Sequence, residues 1–177
     1  MQALRTERCL ITPYSARDLE GHRAIYHSAA VRRHLSWTAA PELDQLRELY
    51  IERAKRWQAH TAGSGAFSVR LHGSDDYVGL LLLKAMPYGD GEFSERLEIG
   101  WHLAEPYWGK GLATEAAQAL LNYGFEVLKL ETIWAVAVPD NKASLAVMER
   151  LGMRYVETTD RYYGEQGILY SISRAAD

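Results

Sequence analysis

Residues Leu97–Gly124 read LEIGWHLAEPYWGKGLATEAAQALLNYG. The first part alternates: Leu97, Ile99, Trp101 and Leu103 are apolar, with Glu98, Gly100 and His102 between them, the period of two that marks a strand. From Leu112 the period lengthens, and Leu112, Ala116, Ala119/Leu120, Tyr123 and Val127 fall on one helical face. Glu105-Pro106-Tyr107-Trp108 leads from the strand into Gly109-Lys110-Gly111, and the helix follows at once. Gly109 and Gly111 let the main chain turn sharply and approach a ligand closely. The first helical N–H groups lack internal acceptors, the helix dipole adds partial positive charge, and Lys110 adds a full one, an arrangement suited to a phosphate or pyrophosphate. The common nucleotide loops are missing. No G-x-x-x-x-G-K-[ST] occurs, and the residue three after Gly111 is Thr114 rather than the last Gly of G-x-G-x-x-G. Spacing alone leaves open a loop that merely enters a helix.

Working outward, Cys9-Leu10-Ile11 with Tyr14 predicts a first strand, and Ser15 a helix N-cap for a segment ending near His27. Pro41 and Glu42 open a second helix with Leu43, Leu46, Leu49/Tyr50, Arg53 and Trp57 at three-to-four spacing. Ala66–Leu71 and Tyr77–Ala85 read as strands, and Met86–Glu95, with Pro87, Gly89 and Gly91, as a loop. Beyond the central stretch, Glu131–Val138 is an apolar strand. Pro139-Asp140-Asn141 caps a helix to about Leu151, and Gly152 ends it. Met153–Thr158 and Gly167–Ser173 are the last strands. The order βααβββαβαββ, seven strands and four helices, is α+β (α/β-type) with a mixed sheet.

The 177 residues suit one domain over 1–177. Hydrophobic residues at 47 % and charged residues at 24 % are ordinary for a folded globule and exclude a disordered chain. Net charge is −3, which argues against nucleic acid as a partner. The longest apolar run, Val78–Leu83, is strand length, so no membrane span is expected. Cys9 is the one cysteine, and the charged N-terminus has no signal-peptide core, which fits a cytoplasmic protein. Six histidines lack zinc spacing, so no metal is expected.

The string Tyr107-Trp108-Gly109-Lys110-Gly111-Leu112-Ala113-Thr114-Glu115-Ala116 resembles the acetyl-CoA signature [Q/R]-x-x-G-x-[G/A] of the GNAT superfamily of N-acetyltransferases, with Trp108 in place of Gln or Arg. Within that superfamily it looks like the subgroup containing the ribosomal-protein (alanine/serine) N-terminal acetyltransferases. Thr6–Pro13 resembles the subgroup's opening strand, Leu97–Trp101 the strand before the CoA loop, Asn141–Ser144 with Glu149–Met153 its "N-x-x-S … E-K-x-G-F" helix, and Ile168–Ile172 its closing strand. The likeness spans about residues 6–174.

The resemblance implies a mostly antiparallel sheet of about seven strands, splayed in the middle, with about four flanking helices. Acetyl-CoA would lie in the splay, its pyrophosphate on the N–H groups of Gly109, Lys110, Gly111, Leu112, Ala113 and Thr114, beside Trp108. Its pantetheine would follow Trp101, His102 and Leu103 and face Asn141. The implied reaction is acetyl transfer to a primary amine by direct attack in a ternary complex. The acceptor would be a protein or peptide N-terminus. A small-molecule amine (antibiotic, polyamine or amino acid) is the alternative, and a catalytically silent acyl-CoA-binding module is a third. Monomer and homodimer both remain open. A terminal α-amine, with pKa about 8, costs about 1 kcal/mol to find neutral at pH 7; a lysine amine costs roughly 4–5 kcal/mol. An α-amine acceptor therefore needs only a modest base, which the resemblance assigns to Glu98. For the acid, Met148 stands where many members carry Tyr, and Met donates no useful proton. Ser144 matches the subgroup's thiol donor. By the same resemblance Trp37 would stand in the wall of the acceptor pocket, or else cover core in a solvated connector, and Asp90, Glu92, Glu95 and Glu98 would form an acidic lip for a cationic amine.

Overall fold

The computed structural model describes residues 3–35, 39–74 and 76–174. Eight strands form one sheet in the order β1-β2-β3-β4-β5-β6-β8-β7. They are β1 (Leu4–Arg5), β2 (Cys9–Pro13), β3 (Gly65–Leu71), β4 (Tyr77–Pro87), β5 (Phe93–Leu103), β6 (Thr132–Ala137), β7 (Arg154–Thr159) and β8 (Gly167–Ser173). Neighbours run antiparallel except β5 and β6, which are parallel. That junction is paired only at Glu98↔Trp134. Beyond it the strands part, so the sheet is splayed where the sequence resemblance implies. The extra strand is β1, two residues long and joined to β2 through Leu4↔Ile11. It is too short to show any period.

The helices are α1 (Leu19–His27), α2 (Ala29–Arg32), α3 (Leu43–Arg47), α4 (Ala54–His60), α5 (Leu112–Glu126) and α6 (Lys142–Arg150). The helix expected to begin at Pro41 is thus in pieces, with a π-helical stretch, Glu48–Glu52, between α3 and α4. That extra backbone residue turns Tyr50 into the interior. Ser15 caps a short 3-10 turn, Ala16–Asp18, that leads into α1; its N–H donates to Asp18 Oδ2 at 2.8 Å. The second unexpected piece, α2, is capped by Ser28, whose Oγ accepts from the amides of Ala30 and Val31.

Apolar burial explains the layering. β4 is buried on both faces along nearly its whole length, as a central strand must be. One face carries Ile11, Val69, Leu81, Leu83, Ile99 and Ile133, covered by α5 and α6. The other carries Leu80 and Leu82, covered by α1 to α4 through Tyr26, Leu46, Tyr50 and Trp57. The β4–β5 connection is shorter than the loop expected over Met86–Glu95. Pairing continues to Pro87↔Phe93, Ser94 Oγ donates to Met86 O at 2.8 Å, and the turn closes with Tyr88 N–H on Glu92 O at 2.7 Å.

Candidate active site

Three elements converge at the splay: the end of β5, the loop into α5, and the turn into α6. Gly109 and Gly111 hold φ of +70° and +77°, the left-handed region that favours glycine. A Cβ at Gly109 would meet nothing within 4 Å, so this main chain faces open space. α5 starts at Leu112, leaving its first amides without intrahelical acceptors. Glu115, in the first turn of α5, would oppose an anion here, but its charge is balanced. Arg8 holds it through Nε at 2.7 Å and Nη2 at 2.6 Å, and Thr6 Oγ1 and the Arg8 amide donate to it as well. Partial burial works against ionising Glu115, yet those donors outweigh it and keep its carboxyl below the usual range. Arg8 Nη1 also donates to Lys110 O at 2.9 Å, bracing the loop from outside. The Trp108 indole donates to Leu103 O at 2.6 Å and ties the other side of the loop to β5.

Strand alternation decides which groups on β5 face the splay. The Ala104 amide donates to Val78 O, so His102 and Ala104 turn their main-chain groups towards β4. Trp101 and Leu103 then turn theirs outward, and the Leu103 carbonyl is already taken by Trp108. His102 lines the cavity beside Trp101, but its main chain is turned to β4 rather than to the splay. Its imidazole Nδ1 lies 2.6 Å from Tyr26 Oη, which lies 3.0 Å from Tyr50 Oη. Burial pushes the His102 imidazole down to about 4, and the Lys84 ammonium adds to this.

A cavity of about 970 Å³ runs from the splay to the face covered by α3 and α4. Gly100, Trp101, Asn141, Ser144 and Met148 line its cofactor end; Tyr50, Trp57, Lys84, Glu98 and Tyr163 line the other. Asn141 caps α6, its Oδ1 accepting from the Ser144 amide at 3.1 Å. Asn141, not Ser144, is therefore the capping side chain, and the Ser144 hydroxyl is left for the cavity. Trp37 lies outside the described residues, although His34 and Leu35 just before it line the same cavity.

The acidic lip does not form as a unit. Asp90, Glu92 and Glu95 are exposed, whereas Glu98 is 5 % exposed and faces inward. Its Oε1 lies 2.5 Å from Lys84 Nζ and also accepts from Tyr163 Oη. Lys84 Nζ donates to Tyr163 Oη at 2.8 Å. Lys84 stands opposite Glu98 in the β4–β5 register, so the sheet itself delivers the pair. The outer part of Tyr163 is 40 % exposed, but its hydroxyl points inward. Burial of that hydroxyl and the adjacent carboxylate push the phenol well up, so it stays protonated. Sequence reading singled out Glu98 but missed Lys84. The signal was present: a lone Lys in the apolar run Val78–Met86, which a buried strand tolerates only with a partner.

Comparison with known proteins agrees with this geometry. The family described as Acetyltransferase (GNAT) domain matches residues 8–154. The chain is 27 % identical over 172 residues to the uncharacterized N-acetyltransferase p20 of Bacillus licheniformis, over 97 % of this chain and 93 % of that one. It is 24 % identical over 142 residues to the spermidine N(1)-acetyltransferase of Escherichia coli, over 80 % of this chain and 70 % of that one. Among solved structures, the ribosomal L7/L12 alpha-N-protein acetyltransferase RimL in complex with coenzyme A superposes with a TM-score of 0.79. That match covers 99 % of this chain and 100 % of that one at 15 % identity, a likeness of fold. With most of its length matched to the family and its sheet splayed beside a glycine loop, the chain belongs to the GNAT acetyltransferase family and is an acetyl-CoA-dependent N-acetyltransferase.

Proposed function

We propose that this enzyme acetylates the α-amine at the N-terminus of a protein or peptide. One observation carries the reading: the carboxylate at the acceptor end, Glu98, already shares Oε1 with the resident ammonium of Lys84. A second full positive charge arriving beside Lys84 is repelled, and an amine that sheds its proton near pH 8 meets that demand at a cost of about 1 kcal/mol. A lysine-type amine meets it at roughly 4–5 kcal/mol.

In this reading Glu98 takes the amine's proton. The amides of Gly109 to Thr114, with Lys110, hold the pyrophosphate, and the balanced Arg8–Glu115 pair keeps the loop in shape for it. Trp108 anchors the loop to β5 rather than touching phosphate through its side chain. The open main-chain groups of Trp101 and the Leu103 amide, with Asn141, line the pantetheine. The Trp101 amide is the candidate oxyanion donor and the Ser144 hydroxyl the candidate proton donor to the leaving thiol. Acetyl-CoA supplies the activated acyl group. Trp37 belongs to the acceptor wall by its place in the chain.

A second reading has a specific observation in its favour. Asp44 and Glu48 also line the cavity, and acidic groups near its α3 wall suit a small polycation, in keeping with the likeness to the spermidine enzyme. Thiol release with two acceptors separates the readings. A peptide beginning Ala or Ser is expected to give kcat/KM at least about tenfold above spermidine, since the amine-neutralisation difference alone exceeds 1.4 kcal/mol. Preference for spermidine by that margin replaces the first reading with the second.

A further inference from the structure

Glu98 is not a solitary carboxylate. Lys84 Nζ, 2.5 Å from Oε1, sits between two rings, 5.6 Å from the Trp57 centroid and 5.2 Å from that of Tyr163. Tyr163 completes the group by donating to the same oxygen. Among the described residues Oε2 takes no hydrogen bond, and Glu98 lines the cavity. Tyr163 also holds a φ of 60°, uncommon for any residue with a side chain and a strain that persists only where the surroundings impose it. The surroundings here do impose it. The β7–β8 connection is fastened to the β4–β5 turn by Gly89 N–H on Arg161 O at 3.0 Å, by Tyr163 N–H on Pro87 O at 3.4 Å, and by Tyr88 stacked on Tyr162 with centroids 5.8 Å apart. Two hairpins distant in sequence are thus joined, and the join aims one phenol at Glu98.

We propose that Lys84 and Tyr163 are positioning residues for Glu98. Their two hydrogen bonds pin Oε1 so that Oε2 meets the acceptor nitrogen, and the rings of Trp57 and Tyr163 hold the Lys84 cation while Glu98 carries a proton. This rests on the reading of Glu98 as the base. The acceptor amine arrives neutral. Its nitrogen forms the C–N bond to the thioester carbonyl carbon and gives one proton to Oε2, and the C–S bond breaks. The leaving sulfur takes the Ser144 hydroxyl proton, and Glu98 returns its proton through water to Ser144 as the amide leaves. Lys84 stays an ammonium throughout. At the moment Glu98 is neutral, the buried cation loses that counter-charge, and the two ring faces and the Tyr163 hydroxyl still stabilise it.

The test is steady-state kinetics on the preferred acceptor with Tyr163→Phe, Lys84→Met, Glu98→Gln and the Tyr163→Phe/Glu98→Gln pair, each checked by thermal melt and circular dichroism. Tyr163→Phe keeps the ring and removes only the hydroxyl. It is expected to lower kcat about tenfold or more with both KM values within about twofold, and Lys84→Met to lower kcat at least as far. The double variant should be no more than about twofold slower than Glu98→Gln alone, because the phenol acts only through that carboxylate. A Tyr163→Phe enzyme with wild-type kcat, a multiplicative double variant, or a kcat loss matching a loss of folded protein overturns the inference. If Glu98→Gln is itself fully active, the reading of Glu98 as base fails first; if Glu98→Gln is slow and Tyr163→Phe is not, only the positioning role fails.

Discussion

The two ends of the candidate site are made of different materials. At the cofactor end the chemistry lies in main-chain groups: two glycines at positive φ, the first amides of α5, and the open edge of β5 past Glu98. Side chains there, Arg8 with Glu115 and Trp108 with Leu103, brace the backbone. At the acceptor end the chemistry lies in side chains contributed by four separate elements: Trp57 on α4, Lys84 on β4, Glu98 on β5 and Tyr163 on the β7–β8 connection. A main-chain site is local, and a single turn of sequence builds it. A side-chain site is assembled, and its parts gain meaning only from what lies across from them.

If the cofactor end truly depends on backbone shape, its weakest point is a glycine. Gly111→Glu forces a side chain onto a φ of +77° and places a carboxylate where phosphate is expected. A Cβ there meets only Arg8 Nη2, at 3.5 Å, so the penalty is conformational and electrostatic rather than a clash. Coenzyme A affinity by calorimetry should fall about 100-fold or more, near 3 kcal/mol, with the fold intact by circular dichroism. Near-normal binding would break the contrast between the two ends.

The acceptor end should instead reveal itself through protons. His102 is pushed down to about 4, and His22, fully buried, lies well below its ordinary value. A depressed imidazole binds protons more readily once unfolded, so stability is intact above about pH 6.5 and declines as pH falls towards 4. For His102 the decline is up to about 3 kcal/mol, with His22 adding in the same direction. Urea midpoints at pH 7.5 and 4.5 measure it, and His102→Gln should flatten the slope by that share. An unchanged slope would mean His102 is hydrated rather than buried in the Tyr26–Tyr50 network.

The smallest effect expected is at the brace. Trp108→Phe removes one indole hydrogen bond to Leu103 O while keeping a ring that is already 46 % exposed. Coenzyme A affinity should weaken about fivefold, near 1 kcal/mol, with the melting point nearly unchanged. A loss as large as that of Gly111→Glu would show that side chains, not the backbone, hold this end.

Most of the fold was readable because its signals repeat over short windows. The alternation at Leu97–Leu103, the helical spacing from Leu112 and the Asn141 cap all lie where expected. The departures occur where short-range signals run out. β1 is too brief for a period, and the π-helical turn at Glu48–Glu52 keeps helical spacing while rotating Tyr50 inward. At the site, Glu98, Asn141 and Ser144 were named from sequence and line one cavity; the glycine loop, also named from sequence, holds its two glycines at positive φ. His102 lies on the right strand with its main chain turned the other way, because strand parity depends on which edge a partner occupies.

By itself the sequence determined the elements, their order and the anion-binding backbone at the start of α5, since each follows from residue types a few positions apart. Only the tertiary structure decided that Lys84 and Tyr163 close on Glu98 and that the carboxylate faces inward rather than joining an exposed lip. The physical reason is range. Backbone conformation answers to neighbours in the chain, whereas a buried charge answers to whatever the sheet register and a joined pair of hairpins set beside it.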